Sequence, residues 1–173
     1  MNTLAEIVAT LERTPHVMRE LLRGLSPERL TANYGDGTWS AYEVLGHLIV
    51  GEREDWLPRI VRILDEGVTR PFDPFPHDAT IGPASGRSAQ DLLDEFASLR
   101  DAGLRALAEL RLTPEHMDRR GVHPAFGEVT LGQLLATWAA HDLHHVRQAC
   151  LALAWPLRDA VGPWRAYLNT FAR

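Results

Sequence analysis

Three histidines fall within five residues in the stretch HDLHHVRQ, residues 141–148. His141 and His145 are four residues apart. On a helix that spacing puts two imidazoles on one face, one turn apart, where they can chelate one metal ion. The HExxH zinc helix uses the same spacing, but here Asp142 stands in its second position and the glutamate that serves as hydrolytic base is missing. A third imidazole interrupts the apolar run VLGHLIV as His47. Val44, His47, Gly51 and Glu54 share one helical row, and Gly51 would leave room beside a metal. Three neutral imidazoles leave at least one coordination position for water or substrate, the catalytic rather than the closed structural arrangement. Imidazole ligation suits zinc, nickel, copper and iron alike. No Glu-x-x-His occurs in the chain, which disfavours a di-iron carboxylate bundle.

The helix around residues 130–155 decides which histidines converge. Leu131, Leu134 and Trp138 step by three and four, and the series continues to His141, His145, Gln148 and Ala152. The apolar seam therefore runs into two histidines and a glutamine, while His144 turns about 100° away from His145. A parallel polar row, Thr130, Gln133 and Thr137, passes His141 and reaches His144. Asp142 lies on the row of Leu135, Ala139, Val146 and Ala149. A carboxylate there needs a partner, either a ligand imidazole whose tautomer it would fix or an arginine. Gln148 and Glu54 are the candidate polar residues lining the site. His16, His77, His116 and His123 are not assigned as ligands.

The remaining elements must carry these residues. A capping box, Thr3 with Glu6, opens a helix over 3–25 whose seam is Leu4, Val8, Leu11, Pro15, Met18, Leu22 and Leu25, with a kink expected at Pro15. Ser26 starts a short turn at SPERL. Ser40 with Glu43 opens a helix from about 41 to 66, with a bend expected at Pro58. Residues 67–87 carry four prolines and no periodicity, and read as a loop closing over a substrate with Phe72 and Phe75 as contacts. Ser88 with Asp91 opens a helix to about 110, residues 111–129 read as irregular, and a short helix is expected over 163–171. Four long helices without an alternating strand pattern predict a single all-α domain over 1–173, a four-helix bundle.

The chain has 173 residues and a formal net charge of −5, and all 18 of its basic residues are arginines. No basic stripe supports nucleic-acid binding. No apolar run approaches the ~18 residues of a membrane span, and the N-terminal stretch does not read as a signal peptide. The single cysteine, Cys150, excludes an internal disulfide and reads as a small buried hydrophobe. These features predict a cytoplasmic protein.

ERTPHVMRELLRGLSPERL, the W-S-x-x-E-V-L-x-H-L stretch from Trp39 to Leu48, VHPAFGEVTLGQLL and HDLHHVRQ together span nearly the whole chain. In order and spacing they resemble the DinB/YfiT-like superfamily of metal-binding four-helix bundles. The resemblance implies an up-up-down-down bundle with long crossover connections, often a homodimer. It implies a divalent transition metal, zinc or nickel, held by His47, His141 and His145, with His141-Asp142 matching the family's histidine-aspartate pair. The family is similar to thiol S-transferases using bacillithiol, mycothiol or glutathione, to a mycothiol-dependent isomerase, and to metal-dependent hydrolases. The expectation is a metal-dependent enzyme that activates a low-molecular-weight thiol or water for attack on a small electrophile. A non-catalytic, stress-related metal- or ligand-binding bundle, a hydrolase, and a metal-free bundle with hydrogen-bonded core histidines are the alternatives.

Overall fold

In a computed structural model, which describes residues 3–76 and 78–171, the helices begin where the capping residues place them. His77 lies outside the described residues. Helix α1 spans Leu4–Leu22, α2 Pro27–Thr31, α3 Ala41–Glu54, α4 Trp56–Asp65, α5 Ala89–Glu109 and α6 Leu131–Ala154. Thr3, Ser40, Ser88 and Thr130 each accept from the backbone N–H three residues on, and the acid or amide at that position bonds back. Four reciprocal boxes thus satisfy N–H groups that an α-helix start leaves without partners.

The long helices close into a ring. Helix α1 packs against α5 and α6, and α3 packs against the same two. The sequence-adjacent pairs α1/α3 and α5/α6 therefore lie across the diagonals. That is the up-up-down-down four-helix bundle, and its crossovers have to be long. Two apolar clusters fill the interior. One gathers Met18, Leu22, Leu45, Ile49, Phe96 and Ala149, the other Leu11, Trp56, Ile60, Leu107, Leu135 and Trp138. Buried polar side chains separate them at the waist: Thr14, Arg100, Asp142, His47 and His145. No helix among the described residues is long and apolar enough to cross a membrane.

Four local features differ from the sequence reading. The second long helix breaks at Asp55, three residues before Pro58. Pro58 thereby becomes the third residue of α4, where its missing N–H would have had no partner in any case. Residues 120–130 form a small antiparallel hairpin, β1 Arg120–His123 and β2 Gly127–Thr130. Four-residue strands are too short to show alternation, so the segment reads as irregular. After α6 the chain makes 3₁₀ turns at Gly162–Tyr167 and Asn169–Phe171 instead of an α-helix. Cys150 is exposed rather than buried. It is flanked by the buried row of His145, Ala149 and Ala152 but projects from the other side of α6.

Residues 67–76 and 78–87 form a strap laid over the bundle. Phe72 N–H donates to Val122 O at 2.8 Å, tying the strap to the hairpin. Farther on, Thr80 Oγ1 donates to Glu43 O at 2.5 Å. The strap runs so close to α3 that a Cβ on Gly46 would sit 2.4 Å from Ile81 O. Glycine at position 46 is what lets the strap dock.

Candidate metal centre

His47 projects from α3, and His141 and His145 project one turn apart from α6. Their Nε2 atoms converge: His47 lies 3.1 Å and His145 3.0 Å from Nε2 of His141. Of the described residues, these three form the group whose ligand atoms all lie within 4.8 Å of one another. His144 is exposed, as its position on the helix requires.

The outer nitrogens fix which atom faces inward. His47 Nδ1 lies 2.7 Å from Ala79 O, and only a protonated Nδ1 can donate to a carbonyl. His145 Nδ1 donates to Gln148 Oε1 at 2.6 Å. Both imidazoles therefore aim an Nε2 lone pair at the centre. Protons alone cannot satisfy this arrangement, because a single N–H on His141 would have to serve two acceptors. His141 Nδ1 is buried and has no hydrogen-bond partner among the described residues. A tetrahedral zinc-type ion holds nitrogens at about 2.0–2.1 Å, hence about 3.3 Å from one another, close to the spacing seen. The donor set fits a divalent transition metal with an open position.

Burial holds the two imidazoles of α6 neutral. It pushes His141 down to about 2, with His145 and His47 adding to the effect, and pushes His145 down to about 4. Neutral imidazole is the ligating form, so protons compete weakly for the site near pH 7. Tryptophans brace the rings. Trp39 stacks on His145 at 5.9 Å, and Trp56 stands edge-on to His141 at 5.0 Å. Gly51 does not open space for a metal. Its missing Cβ accommodates Trp56, whose Nε1 would lie 3.2 Å from it.

Asp142 is fully buried, and its partner is Arg100, not an imidazole. Arg100 donates to Asp142 Oδ2 at 2.6 Å and Oδ1 at 3.0 Å. It also donates to Glu52 at 3.1 and 2.8 Å and to Leu11 O at 2.7 Å. Leu11 O is the carbonyl that Pro15, having no N–H, leaves without its helical donor. Helix α1 runs unbroken through Pro15. Glu52 Oε1 further accepts from Trp138 Nε1 at 2.9 Å, and Trp138 stacks on Trp56 at 5.8 Å. One guanidinium thus joins α1, α3, α5 and α6 behind the histidines. Sequence reasoning missed Arg100 and Glu52. It named Glu54 instead, which is exposed at the end of α3, whereas Gln148 touches His145 directly.

In front of the histidines lies a cavity of about 200 Å³. His47 and His141 line it, together with Trp56, Phe72 and Phe75 and with Gln133 and Thr137 of α6. Asp55 is the one carboxylate among the described residues lining it, and its Oδ1 lies 2.7 Å from Arg59 Nε. Burial pushes the Arg59 guanidinium down, and Asp55 opposes the shift. The signal for Asp55 was its place at the helix break ahead of Trp-Leu-Pro.

Comparison with known proteins supplies an independent line. A family model described as the DinB superfamily matches residues 10–149. An Oceanobacillus iheyensis protein named "Putative metal-dependent hydrolase" is 24% identical over 148 residues, 82% of this chain and 80% of its own. A Bacillus licheniformis protein with the same description is 27% identical over 147 residues, covering 83% of this chain and 81% of its own. In structure the chain is similar to YfiT from Bacillus subtilis, described as "a probable metal-dependent hydrolase with an unusual four-helix bundle topology". The TM-score is 0.69 at 20% identity, covering 92% of this chain and 87% of that one. It is also similar to TT2238, a four-helix bundle protein, with a TM-score of 0.58 at 22% identity, covering 84% and 96%.

Proposed function

The chain belongs to the DinB superfamily, and from that premise we propose that it is a metal-dependent enzyme that hydrolyses a small molecule. The observation that carries this reading is the convergence of three Nε2 atoms whose rings are locked lone-pair-inward by Ala79 O and Gln148. His47, His141 and His145 would hold zinc or nickel. An ion held there, with a position open, would supply the acidity of a coordinated water and the polarisation of a carbonyl. Asp55 accepts the proton of the attacking water and passes it to the leaving group. Arg59 holds the Asp55 carboxylate against the cavity wall. A low-molecular-weight thiol is the other nucleophile suited to such a centre. A carboxylate in the lining, Asp55, supplies the base that a water nucleophile needs, and this favours water.

Metal analysis of untagged protein tests the centre. Close to one equivalent of zinc or nickel is expected, His145→Ala should abolish it, and His144→Ala should leave it nearly intact. Less than about a tenth of an equivalent, with no uptake on titration, refutes the reading. A panel of small esters and amides then tests hydrolysis, where Asp55→Asn should lower turnover by about 10²–10⁴-fold at unchanged metal content. A fully loaded protein inert towards the whole panel would instead be a non-catalytic metal-binding bundle.

A further inference from the structure

The cavity's walls say what kind of molecule enters it. Four of the chain's 13 Phe, Trp and Tyr side chains, Trp56, Phe72, Phe75 and Phe126, line this one space, and His123 adds a fifth flat ring. They are not continuous core. Phe72 and Trp56 are buried, but Phe126 is 74% exposed at the tip of the hairpin. A phenylalanine this exposed contributes little to folding. Here the ring lies parallel to His123 at 4.4 Å and 15°, and His123 stands edge-on to Phe72 at 6.2 Å and 87°. An aromatic ladder thus runs from the buried wall to the cavity mouth. The Pro71–Val122 bridge and the Phe72–Val122 hydrogen bond fasten the hairpin to the strap. The charged groups of the lining are paired with each other, Asp55 with Arg59, and the polar side chains facing the aromatic wall are the neutral Gln133 and Thr137.

We infer that the cavity takes a compact molecule with one flat apolar ring and a polar, hydrolysable head, and that Phe126 is the specificity-determining residue that stacks on the ring. This rests on the cavity being the active site. The ring lies along the wall of Trp56, Phe72 and Phe75, and the head reaches the histidines and the Gln133–Thr137 row. Aromatic pairs favour offset stacked or edge-to-face contacts, which the parallel His123–Phe126 pair extends towards solvent. Charged or sugar-like ligands would have to be desolvated against an apolar wall. The volume, about 200 Å³, is below the usual 300–1,000 Å³ of pockets for drug-sized ligands, so one ring with a short substituent is the natural occupant.

Titration of zinc-loaded, full-length protein with benzamide, cyclohexanecarboxamide and acetamide tests this. Calorimetry gives affinities, and the Trp56 indole N–H resonance reports binding at the cavity. The three probes share a head and differ in the ring. Benzamide should bind about tenfold to a hundredfold more tightly than acetamide, the range expected for burying one phenyl group. It should also bind more tightly than cyclohexanecarboxamide. Phe126→Ala should weaken benzamide about two- to tenfold, leave acetamide unchanged, and erase the preference for the flat over the puckered ring. Because Phe126 is exposed, its removal should leave Tm and metal content alone. Equal affinity for benzamide and acetamide, or benzamide binding untouched by Phe126→Ala, overturns the inference. Metal uptake is scored separately. Ring binding without metal uptake sinks only the metal-enzyme reading, and metal uptake without ring preference sinks only the ring.

Discussion

Replacing Arg100 with methionine should be among the most damaging single changes available to this protein. The side chain is 2% exposed and makes five hydrogen bonds, to Leu11 O, twice to Asp142 and twice to Glu52. Methionine fills much of the same space but leaves two buried carboxylates and one buried carbonyl without their donor. Breaking a buried ion pair by deleting one partner costs about 3–5 kcal/mol, and an orphaned carbonyl about 1–3 more. Proton uptake by a carboxylate offsets part of this, so a net loss of about 4 kcal/mol is expected, a large share of a typical 5–15. Pro15→Ala sharpens the test. That substitution restores a backbone N–H that can donate to Leu11 O, so the double variant should recover about 1 kcal/mol beyond the sum of the single effects. The general gain of helix propensity on removing proline appears in both backgrounds and cancels in the cycle. Urea unfolding of the four proteins, compared at equal m, gives the coupling. Additivity within about 0.5 kcal/mol would refute the link between Pro15 and Arg100. A loss under about 1 kcal/mol for Arg100→Met alone would refute the network itself.

Three further outcomes follow from the same interior. Metal-free protein should lose stability on acidification. The folded-state values of about 2 for His141 and about 4 for His145 lie below the usual 6.5, so the unfolded chain binds protons first as pH falls through that window. Stability fully present above pH 6.5 should drop by up to about 2.7 kcal/mol per pH unit near pH 5, with nearly two protons taken up on unfolding; a flat profile between pH 6.5 and 4.5 contradicts a neutral His141–His145 pair. Burial raises the Glu52 carboxyl, and Asp142 adds to the rise against the opposing Arg100 and Trp138. The folded state therefore holds that proton more tightly, and stability contributed by Glu52 falls as pH rises out of the ordinary carboxylate range. Glu52→Gln should remove this decline in a Tm-versus-pH series, and a steeper decline in the variant would speak against it. Gly46→Ala places a methyl 2.4 Å from Ile81 O. It should cost about 1–3 kcal/mol by overpacking and, by loosening the Ala79–His47 bond, weaken metal binding about 10–100-fold; unchanged metal affinity would show that the strap does not set the His47 tautomer.

Much of the candidate site was legible because it obeys helical geometry. His141 and His145 continue the seam of Leu134 and Trp138, so spacing alone separates them from His144. His47 stands out because nothing around it is polar. Arg100 could have been found the same way, since Leu93, Phe96, Arg100, Gly103 and Leu107 step by three and four along α5. So could Glu52, which follows Leu45 and Ile49 on α3. A row through Leu92, Phe96, Leu99 and Gly103 fits α5 equally well, and periodicity does not choose between two adjacent rows. The loop over the site was expected, with Phe72 and Phe75 as its contacts, but the hairpin and the anchor points of the strap escaped for another reason. Their positions depend on contacts far apart in sequence, such as Phe72 with Val122 and Thr80 with Glu43, and no local pattern encodes those.

Apolar seams built from Leu, Ile and Ala look much the same after a slide of one turn, about 5.4 Å along a helix. Most methyl groups would find other methyl groups. The charged layer at the waist has no such freedom. Arg100 on α5 draws its partners from α1, α3 and α6, and any one of those helices displaced by a turn leaves a charge or a carbonyl buried alone. Partly docked bundles are penalised for the same reason, because the guanidinium is satisfied only once all four helices have arrived. The layer therefore acts as an alignment gauge during folding. The three imidazoles meet within 4.8 Å at one register of α3 against α6, and that register is selected by side chains that never touch the metal.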